Sequence, residues 1–196
     1  MKKKHVMSVA ALLAMAGMAM GATATLSWGP AVADIGDGSA DVVVSVPLYA
    51  TGDSIVDAIA LGLEVQAPLS FLGIEALKPG MLLGEINDGG VAYVDGVNLQ
   101  FDAFNPSTTV NNPPLTDVPM LVANLSVNVP AGTPLGDYWI STVAYRWEDY
   151  ASGMATLGGA LFTVNQDEHG VISVVPEPAT ALLLIGALPL IRRRRA

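Results

Sequence analysis

Leu121-Val122-Ala123-Asn124-Leu125-Ser126-Val127-Asn128-Val129 is the stretch that decides the fold. Successive side chains of an extended strand point to opposite faces. Leu121, Ala123, Leu125, Val127 and Val129 therefore share one face, and Val122, Asn124, Ser126 and Asn128 share the other. A slip of one residue would carry Asn124, Ser126 and Asn128 into the core, so the register is well specified. The pattern predicts a strand with one dry face and one wet face.

The same period recurs on both sides of this stretch. In Asp41 to Leu48, the residues Val42, Val44, Val46 and Leu48 share a face. In Ile55 to Val65, the residues Ile55, Ile59, Leu61, Leu63 and Val65 share a face that only Asp57 interrupts. Val97, Leu99, Phe101 and Ala103 alternate with Asn98, Gln100 and Asp102. Further strands are expected over Thr25 to Val32, Phe71 to Leu77, Gly90 to Val94, Asp137 to Trp147, Met154 to Val164 and Val171 to Val175. Turn signals separate them: Thr51-Gly52-Asp53, Lys78-Pro79-Gly80, Asn87-Asp88-Gly89-Gly90, Pro130-Ala131-Gly132 and Gly158-Gly159. No segment of the body carries a long 3.6-residue apolar period. The expected fold is all-β, a jelly-roll β-sandwich of about nine strands. Asn105 to Asp117, with Pro106, Pro113 and Pro114, reads as a surface loop or a long crossover between sheets.

The order of these segments resembles a known family. Val42 to Leu48, Asp57 to Val65, Phe71 to Leu77 and Lys78 to Leu83 come first. Then follow Asn128-Val129-Pro130-Ala131-Gly132-Thr133-Pro134, Leu135 to Ile140 and a closing Gly158 to Val164. Over about residues 40 to 165 this resembles a cohesin-type domain, a nine-stranded jelly-roll sandwich related to carbohydrate-binding modules. The resemblance implies a binding or structural module. It transfers no set of partner-contacting residues.

The two ends are expected to be addresses. Met1-Lys2-Lys3-Lys4-His5 is a basic opening, Val6 to Met20 is almost wholly apolar, and Ala22-Thr23-Ala24 is a small-x-small cleavage pattern. Residues 1–24 thus read as a signal-peptide helix cut before Thr25. A second such triplet, Ala31-Val32-Ala33, lies far from the apolar run. No Cys follows that run and no Arg pair precedes it, which points to the general secretory machinery rather than lipoprotein or folded-export routes. An uncleaved N-terminal membrane helix is the alternative.

At the other end Pro176-Glu177-Pro178 precedes the apolar segment Ala179 to Ile191 and then Arg192, Arg193, Arg194 and Arg195. A helix over the apolar segment is about 20 Å long at 1.5 Å per residue, short for a bilayer core of about 30 Å. The arginines would stay on the cytoplasmic side. The three-part order over residues 176–196 resembles the PEP-CTERM sorting tail of exported bacterial proteins. That resemblance implies an exosortase, a membrane-embedded cysteine transpeptidase, as a partner acting near Pro176-Glu177-Pro178. It also implies transient membrane anchoring before release to the cell surface or the extracellular matrix. A plain C-terminal anchor is the alternative.

Between these ends, residues 25–175 are expected to form one domain. Seven of the nine basic residues lie in the terminal addresses, so only Lys78 and Arg146 face 18 acidic residues, a net of −16 over residues 25–178. Such a surface excludes nucleic acid as a partner. There is no Cys, so no disulfide staples the body.

Candidate sites are sparse. Asp34, Asp37 and Asp41 sit among glycines and could wrap a Ca²⁺, which takes about six to eight oxygens, or could form a polar linker. Trp139, Tyr145 and Trp147 share a face of one expected strand. Exposed, they would make a stacking platform for sugar rings; buried, they would centre the core. His169 lies in Gln166-Asp167-Glu168-His169-Gly170 and reads as a solvated turn. No phosphate loop, nucleophile elbow or metal-binding helix occurs. The expectation is a non-enzymatic surface module with a polysaccharide or surface-protein partner. The alternatives are an extracellular polysaccharide hydrolase with its acids hidden among the carboxylates, or a Ca²⁺-dependent adhesive protein.

Overall fold

The computed structural model describes residues 23–83, 92–105, 112–143, 153–155, 163–166 and 169–177. The expected signal peptide and all of the tail beyond Glu177 lie outside these residues, as do Arg146 and the Gly158-Gly159 turn. Among the described residues there are thirteen strands and no helix. They are β1 (Thr23–Trp28), β2 (Ala31–Asp34), β3 (Val42–Gly52), β4 (Ala58–Val65), β5 (Ser70–Leu77), β6 (Leu82–Leu83) and β7 (Tyr93–Asp95). Then come β8 (Asn98–Phe104), β9 (Met120–Val129), β10 (Gly136–Val143), β11 (Gly153–Ala155), β12 (Thr163–Gln166) and β13 (Gly170–Val175). The excess over the expected number comes from the two-residue β6, too short to show a period, from β1 and β2 in place of one strand over Thr25 to Val32, and from β11 and β12 at the two ends of the expected Met154 to Val164.

The strands form two sheets. One has five strands in the order β12-β1-β3-β9-β5. The other has eight, with β2-β13-β10-β4-β8-β6 as its path, β11 paired to β4 and β7 paired to β8. Inward side chains of the two sheets make one core: Val44, Val46, Leu48, Leu125, Val127 and Val129 from the first, and Ile59, Leu61, Leu63, Leu99, Phe101 and Ile140 from the second. Each fully buried Leu or Phe contributes about 1.5–3 kcal/mol of transfer free energy.

The deciding stretch behaves as its alternation demands from Ala123 to Val129, with Asn124, Ser126 and Asn128 half-exposed. One departure lies upstream. Leu48 faces Ala123 but Tyr49 faces Leu121, so Val122 is the extra residue of a bulge. The bulge turns Val122 into the core, where it is 1 % exposed. The expected single strand from Thr25 to Val32 is also corrected. Gly29-Pro30 breaks it, β1 pairs with β3 in one sheet, and β2 pairs with β13 in the other. Gly29 is required there because a Cβ would meet the Pro47 ring at 2.5 Å. The second small-x-small triplet, Ala31-Val32-Ala33, is β2 itself. Ile55 does not join the apolar row of β4: it is exposed, and the strand starts at Ala58.

Candidate binding face and a buried lysine cluster

On β10 the alternation puts Tyr138 and Ile140 inward and Trp139 outward, 37 % exposed. The Tyr138 hydroxyl donates to the Pro134 carbonyl at 2.9 Å, which fixes the inward set. Of the two alternatives for the aromatic row, the exposed one therefore holds at Trp139. Tyr145 and Trp147 lie outside the described residues.

Trp139 has company on its face. Val171 stands opposite it on β13 and is exposed. One strand further, exposed Val32 pairs with Ser173, whose hydroxyl donates to Asp137 Oδ1 at 2.7 Å. The His169 ring lies against Trp139 with centroids 6.0 Å apart, tilted by 45°. His169, Gly170 and Val171 also line an open cleft of about 600 Å³ with Ser27, Trp28, Gly29 and Pro30, where the chain passes between sheets. Gly170 lets Trp28 approach, since a Cβ there would meet the indole at 2.5 Å. The result is an aromatic and apolar strip with polar groups beside it at one end of the eight-stranded sheet.

The three aspartates do not converge. Asp34 Oδ1 accepts the Gly36 N–H at 3.2 Å and Asp37 Oδ1 accepts the Ser39 N–H at 2.9 Å, each closing its own turn. The Ser39 hydrogen bonds hold the Asp37 carboxyl below its usual range. Asp41 Oδ1 reaches across to the Ala131 N–H at 2.8 Å. Among the described residues no three acidic or histidine side chains assemble as a metal-binding group.

The ends of the body meet. Ile35 N–H donates to the Val175 carbonyl at 3.1 Å, and the Glu177 carboxylate lies over the Gly36 turn. Pro176 is half-buried and Glu177 exposed; Pro178 and Arg192 to Arg195 lie outside the described residues. Ala22 is likewise outside, whereas Ala24 sits in β1, is 1 % exposed and pairs with Gly52. The expected cleavage point thus falls within β1.

Buried polar side chains in two places escaped the sequence reading. Asp102 and Gln100 alternate with the core residues of β8, yet both are buried, and neither Asp102 oxygen nor Gln100 Oε1 has a hydrogen-bond partner. Burial pushes the Asp102 carboxyl above its usual value. Lys78 follows β5 and is 1 % exposed. Its Nζ donates to Asn112 Oδ1. Asn112 Nδ2 in turn donates to the Val56 carbonyl at 3.0 Å and to Asp57 Oδ1 at 2.9 Å. Desolvation pulls the Lys78 ammonium below its usual value, and the nearby Asp57 charge opposes the shift. The signals were present in outline: Asp57 interrupts an otherwise apolar row, and Lys78 is one of two cations in an acidic body.

No protein-family model matches the chain, and no curated protein matches it in sequence. Solved structures do match in shape. A type I cohesin–dockerin complex from Clostridium thermocellum aligns at TM-score 0.53 and 11% identity, covering 82% of this chain and 98% of that one. The third ScaC cohesin of Acetivibrio cellulolyticus, solved with the ScaB dockerin, aligns at 0.53 and 15%, covering 78% and 99%. A non-cellulosomal cohesin from Archaeoglobus fulgidus aligns at 0.50 and 14%, covering 81% and 96%. The body is a β-sandwich with the cohesin fold.

Proposed function

We propose that this chain is an exported, non-enzymatic binding module, carried through the inner membrane and released at the cell surface or into the extracellular matrix, whose cohesin-like sandwich engages a surface protein. The observation that carries the reading is the outward strip of Trp139, Val171 and Val32 on a fold whose solved relatives in shape are found in complexes with dockerins. Contiguous exposed apolar side chains rimmed by polar ones suit a protein partner. A polysaccharide is the second reading, favoured by the Trp139–His169 pair and its adjoining cleft.

The released protein and its Trp139→Ala variant, compared on an array of surface proteins and of glycans, separate these readings. We expect a protein ligand whose binding falls at least about tenfold in the variant, the loss typical of an aromatic anchor. Retention on glycans alone would move the assignment to polysaccharide. Equal binding by both proteins would remove this face from the function.

Export belongs to the same proposal. Signal cleavage before Thr25 leaves Thr25–Trp28 to pair with β3, and exosortase acts near Pro176-Glu177-Pro178 after the tail has held the precursor at the membrane. Replacing Glu177 with Ala should leave an arginine-bearing form in the membrane fraction. Unchanged processing would reduce the tail to an anchor.

A further inference from the structure

We propose that Lys78 and Asn112 form an intramolecular isopeptide bond, with Asp57 as the proton carrier, so that the released protein is covalently stapled without cysteine. The three residues come from separate elements. Lys78 follows β5 of the five-stranded sheet, Asp57 immediately precedes β4 of the eight-stranded sheet, and Asn112 belongs to the loop that leads into β9. Their side chains meet in a hydrogen-bonded row, with the carboxamide between the amine and the acid.

Each requirement of the reaction has a residue on it. The nucleophile is a neutral amine, and a lysine whose side chain is almost wholly buried is biased toward that form. The electrophile is the Asn112 carboxamide. Both of its Nδ2 hydrogens are taken, one by the Val56 carbonyl and one by Asp57 Oδ1, so Oδ1 is the atom turned to Lys78 and Cγ is one bond beyond it. Holding the groups in contact converts a slow bimolecular aminolysis into an intramolecular one. Asp57 sits at the leaving nitrogen, 2.9 Å from Nδ2. Asn112 is followed by Pro113, which has no N–H, so the usual competing attack by the next backbone nitrogen is closed to it.

The step balances within the protein. The Lys78 Nζ lone pair forms the Nζ–Cγ bond. The proton lost by Nζ passes through the Asp57 carboxylate to Nδ2. The Cγ–Nδ2 bond then breaks with its electron pair on nitrogen, ammonia leaves, and Asp57 is regenerated. The product is a secondary amide, and no oxidant, cofactor or second substrate is consumed. A body with no Cys gains from this chemistry what a disulfide gives other exported domains, and it gains it in any redox environment.

Denatured intact mass and peptide mapping of the released wild-type protein test the proposal, with the processed ends read from the same map. The expected result is a mass lower than the sequence by one ammonia, together with a branched peptide joining the segments around Lys78 and Asn112. The Asp57→Ala and Lys78→Arg variants should return to the full mass. A wild-type mass equal to that of the sequence, with two linear peptides, overturns the proposal, and so does an ammonia loss mapped to any other asparagine. The wild-type map decides the matter even if a variant fails to fold.

Discussion

β9 and β4 are both interior strands, each hydrogen-bonded on two sides, and they solve the same problem differently. β9 keeps one face dry and one wet: Leu125, Val127 and Val129 are buried, while Asn124, Ser126 and Asn128 remain half-exposed. β4 is dry on both faces from Ala58 to Leu63, its inner row being Ile59, Leu61 and Leu63 and its outer row Ala58, Ala60 and Gly62. The outer row is made of small residues, and its neighbours across β8 are the buried Asp102 and Gln100. The eight-stranded sheet is thus two-sided at its centre, whereas the five-stranded sheet uses its outer face for hydrogen bonds such as Asn124 Nδ2 to Glu75 Oε2 at 3.0 Å. A dry outer face needs small side chains, and a wet one needs polar ones.

The largest effects should not distinguish the two strands. Phe101→Ala in β8, beside β4, and Leu125→Ala in β9 each remove a side chain with no exposed surface. Each should cost about 2–5 kcal/mol in urea unfolding. A loss below about 1 kcal/mol at either site would mean that the shared core is not continuous. The outer faces should then separate them. Ala60→Leu overfills a fully buried site and should cost about 1–3 kcal/mol. Ser126→Val lies on a half-exposed face and should stay within about 0.5 kcal/mol. Equal costs would erase the contrast between the two strands.

Asp102 sharpens the same contrast through pH. Its carboxyl titrates near 3.8 in the unfolded chain and higher in the fold, because burial penalises the charged form. Between those values the fold holds a proton that the unfolded chain has released, so stability falls as pH rises through the window. Asp102→Asn should therefore be more stable than wild type by about 1–3 kcal/mol at neutral pH. The gap should close as pH falls toward the unfolded value. A gap that persists in acid would show that charge burial is not the cause.

How much of this was legible follows from what a period can encode. The alternation of Ala123 to Val129 and of Leu99 to Ala103 specified both inner faces, since a misplaced residue there would expose or bury a whole row. The same alternation was silent about the outer faces, which depend on what other segments lie over them; Gln100 and Asp102 therefore read as solvated. The Gly29-Pro30 break was missed, because the expected strand ran through it from Thr25 to Val32, and a change of sheet leaves no mark on a local period. On β10 the period separated Trp139 from Tyr138 correctly, while only the Tyr138 hydroxyl bond to Pro134 decides which of them turns inward. The Lys78–Asn112–Asp57 cluster joins residues 21 to 55 positions apart, a distance over which no local pattern reports.

A modest expected loss also concerns the wet side. Asp41 opens the five-stranded sheet just before β3, and its Oδ1 accepts the Ala131 N–H at 2.8 Å, in the turn between β9 and β10. Its Oδ2 lies 3.5 Å from Asn128 Nδ2, an outward residue of β9. The carboxylate therefore ties the start of one strand to the end of its neighbour, at the point where the chain leaves for the other sheet. A single exposed hydrogen bond of this kind is worth about 0.5–1.5 kcal/mol. Asp41→Ala should lower stability by about that amount, and Asp41→Asn, which keeps an acceptor oxygen, should recover much of it. Because the tie is a hydrogen bond rather than a metal ligand, added Ca²⁺ should not change the difference between wild type and Asp41→Ala in thermal melting. A calcium-dependent rise in wild type that vanishes in Asp41→Ala would give these aspartates back their role as a metal loop.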